Sequence, residues 1–148
     1  MPIPDELYAV CGEALLWTQM HEQEILNSIL FHALARQTIA SRAEAEDLLC
    51  RRDKQPLKKN LDEIFQRVGT EPDLKPISYE ALDKRNFFVH RFFWDRMEVS
   101  FTKEGREKLI IEASKLAELF ERACLIAKGI TELYKAQLGM PVEGIIKS

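Results

Sequence analysis

The chain predicts an all-α protein, an antiparallel bundle of about four to five helices with long first and last helices. Three observations predict it. Apolar residues recur at three- and four-residue steps through two long stretches, residues 5–40 and 103–138. Every proline lies outside those stretches. The only alternation suggestive of a strand, MEVSF at 97–101, is too short and isolated to build a sheet.

Taken in order, Pro2 and Pro4 keep the first residues extended and Asp5 can cap a helix. Leu7, Cys11, Ala14, Leu15, Trp17, Ile25, Leu26, Ile29, Leu30, Ala33 and Leu34 then set an apolar stripe running to about residue 40. Its middle, TQMHEQE, is more polar than either end and is either a solvated turn or the lining of a cleft. Ser41 and Glu44 form a capping box that opens a short helix ending near Arg52. Pro56 suits the first turn of the next helix, whose stripe is Leu57, Leu61, Ile64, Phe65 and Val68, with Gly69 placed to end it. TEPDLKP, residues 70–76, reads as a loop, and Ser78 as the cap of a helix reaching about Glu98. Thr102 caps the last helix, which Gly139 and Pro141 stop. In that helix Leu109, Ala113, Leu116, Phe120, Ala123, Ala127, Ile130 and Tyr134 form a heptad seam, widened on both flanks as suits a bundle. One helical domain over 1–148 is expected, with 139–148 a loose tail.

The net charge of −3 brings no global basic field, although a local basic patch remains open. Cys11, Cys50 and Cys124 are odd in number and far apart, without metal-ligand spacing, so reduced thiols in a cytoplasmic protein are expected, with no metal and no cofactor. The first ten residues lack a basic region followed by an apolar one, so no secretory leader is expected. No apolar run approaches membrane-spanning length, so no membrane partner is expected.

Residues 82–96, LDKRNFFVHRFFWDR, concentrate the chemistry: five aromatics and four basic residues around one histidine. On a helical wheel Lys84, Arg91, Asp95 and Glu98 share a solvent stripe, while Leu82, Phe88, Val89, Phe92 and Phe93 face a core. Asn86 lies one turn before His90 and can orient its imidazole. Arg85 lies five residues before His90, about 140° round the helix, so one straight helix cannot aim both at one point. A bend, or a cleft between two copies, would relax that demand. A purely structural alternative pairs Arg85 with Glu22 or Glu24 of the first helix and leaves His90 as a hydrogen-bonded core histidine.

Arg85-Asn86-Phe-Phe-Val-His90 resembles the R-x4–6-H motif of the HEPN superfamily (higher eukaryote and prokaryote nucleotide-binding domains), in which a polar residue often follows the Arg. Its members are all-α bundles of this size with the motif on a late helix. The resemblance implies metal-independent endoribonuclease activity on RNA from a homodimeric cleft, in a toxin or anti-phage defence component with an antitoxin or other partner protein. It casts His90 as acid/base, Arg85 as phosphate and transition-state stabiliser, and Asn86 as orienter. Glu22 becomes a supporting acid, because many members place an acidic residue on an early helix facing the motif. The chemistry needs no metal: RNA carries its own 2′-OH nucleophile, imidazole titrates near neutrality, and a guanidinium can clamp a phosphate. Some HEPN toxins carry Tyr two residues after the His, as the site of a partner nucleotidyltransferase; Phe92 departs from that pattern. Because many members are non-catalytic, a nucleotide- or RNA-binding module is the alternative, alongside a protein-interaction module built on the last helix. His21 and His32, the basic cluster Arg51, Arg52, Lys54, Lys58 and Lys59, and Trp17 and Trp94 are expected to be structural, the tryptophans as core anchors.

Overall fold

The computed structural model describes residues 5–67 and 74–140. They form α1 (Asp5–Ala35), α2 (Arg42–Asp53), α3 (Leu57–Arg67), α4 (Leu74–His90), α5 (Phe92–Arg96), a 3-10 turn (Glu98–Phe101) and α6 (Lys103–Gln137), with no strand among the described residues. The bundle is therefore all-α, and its first and last helices are the long ones, at 31 and 35 residues.

Several boundaries follow from local chemistry as expected. Ser41 Oγ accepts the Glu44 N–H at 3.1 Å, and Thr102 Oγ1 accepts the Gly105 N–H at 2.9 Å. Gly105 is needed where it stands, because a Cβ there would fall 1.7 Å from the Val99 carbonyl oxygen. α6 closes as predicted at Gly139, which adopts φ 73°, with the Met140 N–H returning 2.9 Å to Lys135 O. Only residues 139 and 140 of the expected tail are described. α1 stops short of residue 40 by the same motif. Gln37 takes φ 57° while the Thr38 N–H bonds Ala33 O at 3.0 Å, although no glycine marks the place.

The helix carrying the R-N-x-x-x-H string departs from expectation at both ends. It begins at Leu74, inside the stretch read as a loop, and Pro76 fits its first turn, where a missing N–H has no intrahelical acceptor to lose. Ser78 is not its cap: it is buried within the helix, and its hydroxyl donates back to Leu74 O at 3.2 Å. The expected cap of α3's far end, Gly69, lies outside the described residues. α4 ends at His90 rather than near residue 98. Arg91 leaves helical dihedrals (φ −130°, ψ −17°), yet its N–H still reaches Phe87 O and its carbonyl still accepts from Asp95. The result is a kink with no Pro or Gly to announce it. Beyond it Phe92 is fully buried, but Phe93 is half-exposed and Trp94 is 76% exposed, so Trp94 is not a core anchor. Val89 is likewise on the surface, whereas Trp17 does pack against the core.

Two apolar clusters fill the interior. One joins Leu7, Cys11 and Ala14 of α1 to Phe88, Phe92 and the first half of α6 around Phe120. The other joins Ile25, Ile29 and Ala33 to Leu48, Leu61, Ile64, Leu82 and the second half of α6. Each fully buried large side chain contributes roughly 1.5–3 kcal/mol. The first half of α1 thus meets the first half of α6, and the second half meets the second. Ser28 Oγ lies 3.1 Å from Ala127 O and 2.9 Å from Thr131 Oγ1, and the His32 and Tyr134 rings meet edge-on at 5.1 Å. The long pair therefore runs parallel. α4 returns in the opposite sense, placing Phe88 on Phe120 and Arg85 beside Glu22.

Candidate functional site

Between the two apolar clusters the α1 seam turns polar, and this belt meets α4. Thr18 and His21 are buried there, so the TQMHEQE segment is no simple solvated turn. Arg85 reaches across from α4: its Nη2 donates to Glu22 Oε2 at 3.1 Å, and its Nη1 donates to Asn86 Oδ1 at 3.2 Å. The Arg85 side chain keeps 26% of its surface exposed and Glu22 keeps 38%, so the pair is only partly desolvated. It lines a cavity of about 150 Å³ completed by Arg52, Asn60 and Gln55 from α2, α3 and the turn between them. Arg52 is itself ion-paired with Glu63, and Asn60 Nδ2 bonds Arg52 O at 2.9 Å. The cavity wall is thus polar and mostly cross-linked.

His90 stands apart from this cluster. It is the last residue of α4, it is exposed, and it is not on the cavity wall. α4 is continuous from Arg85 to His90, and the kink comes only after the histidine. The roughly 140° offset between the two side chains therefore survives in a single chain. Arg85, Asn86 and Glu22 are brought together, whereas His90 is presented to solvent beside exposed Val89, Phe93 and Trp94. The purely structural alternative is half met: Arg85 pairs with Glu22, but His90 is not a core histidine.

His21, expected to be structural, is a buried residue of the α1 seam. It is 2% exposed, its Nε2 is buried without a hydrogen-bond partner, and burial, then the nearby Arg85 charge, lowers it from 6.5 to about 4. It is neutral at physiological pH and lies behind the Arg85–Glu22 pair. A signal was available: Leu7, Cys11, Ala14, Thr18, His21, Ile25 and Ser28 step by four and three alternately, and all are buried. A histidine in that series is a seam residue.

Among the described residues no group of three or more His, Cys, Asp or Glu side chains could hold a metal ion, and no helix is long and apolar enough to cross a membrane. The protein is thus an all-α bundle with an arginine–carboxylate–asparagine cluster between α4 and α1 and a solvent-facing histidine at the end of α4. No protein-family model, curated protein or solved structure matches the chain.

Proposed function

We propose that the protein is a metal-independent endoribonuclease of the HEPN type, acting from a cleft shared by two copies. The observation that carries this reading is the exposed His90 on the same helix as a held Arg85, flanked by apolar side chains that a second copy would cover. In one chain the two residues diverge. Two copies packed about this face would bring an arginine from one helix toward a histidine from the other.

The chemistry then balances without an added reagent. The 2′-oxygen of the substrate attacks phosphorus as one His90 imidazole takes its proton, the bond to the 5′-oxygen breaks to leave a 2′,3′-cyclic phosphate, and an imidazolium gives the departing 5′-oxygen a proton. Arg85 neutralises charge on the non-bridging oxygens, and Asn86 and Glu22 hold its guanidinium in place. A cytoplasmic toxin or anti-phage defence role, with an antitoxin or other partner protein, rests on the same resemblance.

The test is cleavage of single-stranded RNA by purified protein in EDTA. Wild type cuts, and His90→Ala and Arg85→Ala each lose about 100-fold or more. RNA that is bound and left intact sinks the catalytic reading in favour of a non-catalytic nucleotide- or RNA-binding module. That second reading draws on the Arg85–Glu22 ion pair, which already occupies the guanidinium. Glu22→Ala separates the two. It slows cleavage if Glu22 positions Arg85, and it tightens RNA binding without cleavage if Glu22 merely competes for it. Neither binding nor cleavage leaves the protein-interaction module.

A further inference from the structure

On the far side of Arg52 lies a second, larger cavity of about 390 Å³ that the proposed reaction does not use. Four arginines line it, Arg36 at the end of α1, Arg51 and Arg52 on α2, and Arg67 on α3, together with His32. No acidic side chain is among the described residues on its wall. Its floor is apolar, formed by Ile29, Ile39 and Leu48.

The four arginines are not equally committed. Arg52 is ion-paired with Glu63, yet its Nε is buried without a partner. Arg51 pairs with Asp47 at 3.0 Å, but both side chains are about two-thirds exposed, at 65% and 68%, so solvent screens that pair. Arg36 has no ion-pair partner among the described residues, and Arg67 has only the His32 Nδ1 at 3.5 Å. A cation cannot donate to a protonated imidazole, so that contact requires neutral His32. Basic residues also suit the carbonyl ends of helices, and His32, Arg51, Arg52 and Arg67 all lie in last turns. Helix ends alone, however, do not call for convergence of side chains from three helices on one concavity with an apolar floor.

We propose that this cavity binds a small organic phosphate, its dianionic head held by Arg36 and Arg67 and its apolar body seated on Ile29, Ile39 and Leu48. The volume falls in the range of about 300–1,000 Å³ typical of small-molecule sites. Guanidinium forks match phosphate oxygens in pairs. A discrete hollow with an apolar floor suits a compact ligand better than a nucleic-acid backbone, which needs a continuous track of charge. This site does not depend on the ribonuclease reading.

The probes are phenyl phosphate and inorganic phosphate, titrated calorimetrically into the full chain at low salt. Phenyl phosphate binds about tenfold tighter than inorganic phosphate, because its ring is taken from water. Arg36→Ala and Arg67→Ala each weaken it about tenfold or more. Both residues are exposed, so neither change threatens folding. Arg42→Ala, an exposed arginine paired with Glu46 and off the cavity wall, leaves binding unchanged. His32 gives a second readout. Burial, then Arg67 and Arg36, lower its pKa against the opposing pull of Glu63. The other groups turned toward it are Tyr134 across the ring contact and Arg51 and Arg52 on the same wall. A bound dianion therefore raises the His32 titration midpoint in the NMR spectrum. Three results overturn the proposal: no binding of phenyl phosphate, an equal loss in Arg42→Ala, or binding confined to single-stranded RNA. If Arg36→Ala and Arg67→Ala change only the melting temperature, the arginines serve the helix ends.

Discussion

α6 and the segment from Val89 to Phe101 both carry many large apolar side chains, with opposite outcomes. Along α6 the seam from Leu109 to Tyr134 is buried throughout, and the exposed Ile111, Leu125 and Leu133 are scattered singly. In the kinked segment only Phe92 is buried, while Val89, Phe93, Trp94, Met97, Val99 and Phe101 are each at least 40% exposed. A 35-residue helix returns every third or fourth residue to one line. A five-residue helix followed by a 3-10 turn changes its angular step within a few residues, so no single line collects its apolar side chains. The long helix makes a core, and the broken one makes a surface patch of the kind that marks association.

The comparison can be broken most severely at Phe92, the one buried side chain of the kinked segment, which Arg96 supports through its ion pair with Glu112. Phe92→Ala should cost about 3–5 kcal/mol, read as a lowered midpoint in urea unfolding. A loss as small as that of a surface change would mean that α5 is not anchored at all. The next largest effect belongs to the polar interruption of the α1 seam. Because folding lowers the His21 pKa from 6.5 to about 4, the unfolded chain takes up a proton below pH 6.5 that the folded chain refuses. The stability lost as pH falls through that window is about 3 kcal/mol, and His21→Gln should flatten this component of the pH profile. The ends of the long helices differ more mildly. Gln37 holds a left-handed conformation that Gly139 holds without strain. Gln37→Gly should therefore stabilise by up to about 1 kcal/mol, visible as a higher thermal midpoint. Smallest for the single chain is Trp94→Ser, within about 0.5 kcal/mol of the parent. Its effect should appear instead in sedimentation, as weaker self-association; unchanged association would remove this patch from any dimer contact.

The long helices were legible because their signals are redundant. In α6 the seam, the Thr102 cap and the Gly139 stop all point to the same boundaries, and in both long helices the 3.6-residue periodicity persists across many turns. The start of α4 was misread because Pro76 and Ser78 are each compatible with two roles. Proline suits both a loop and a first turn, and a serine hydroxyl can cap a helix or bond back to the preceding turn, as Ser78 does. The kink at Arg91 has no local signature, so the wheel was carried past it and placed Phe93 inward; Trp94 was expected in the core from its residue type alone, and Val89, before the kink, lies at the surface edge of the stripe. At the candidate site, the pairing of Arg85 with Glu22 was among the foreseen alternatives, and the angular offset of His90 was legible from spacing alone. His21 was expected to be structural, and its place in the seam is legible from the same alternation of four- and three-residue steps.

One small contact between the long helices has a wider consequence. Much of their shared seam is alanine: Ala14, Ala113, Ala117, Ala123 and Ala127 are all buried. Methyl-lined surfaces approach closely but offer little resistance to axial sliding. The Ser28 and Thr131 hydroxyls, 2.9 Å apart in that seam, supply what the alanines lack. A slip of one turn, about 5.4 Å, would break this contact and the Ser28 bond to Ala127 O, each worth about 0.5–1.5 kcal/mol net, while each hydroxyl kept the carbonyl of its own helix. They act as an alignment key, as a buried polar residue does in a coiled coil. Glu22, less than two turns before Ser28 on α1, has its axial position set by the same key. A pair of hydroxyls remote from Arg85 thereby helps to fix the height of that carboxylate against α6, the helix on which α4 also packs through Phe88 and Phe120.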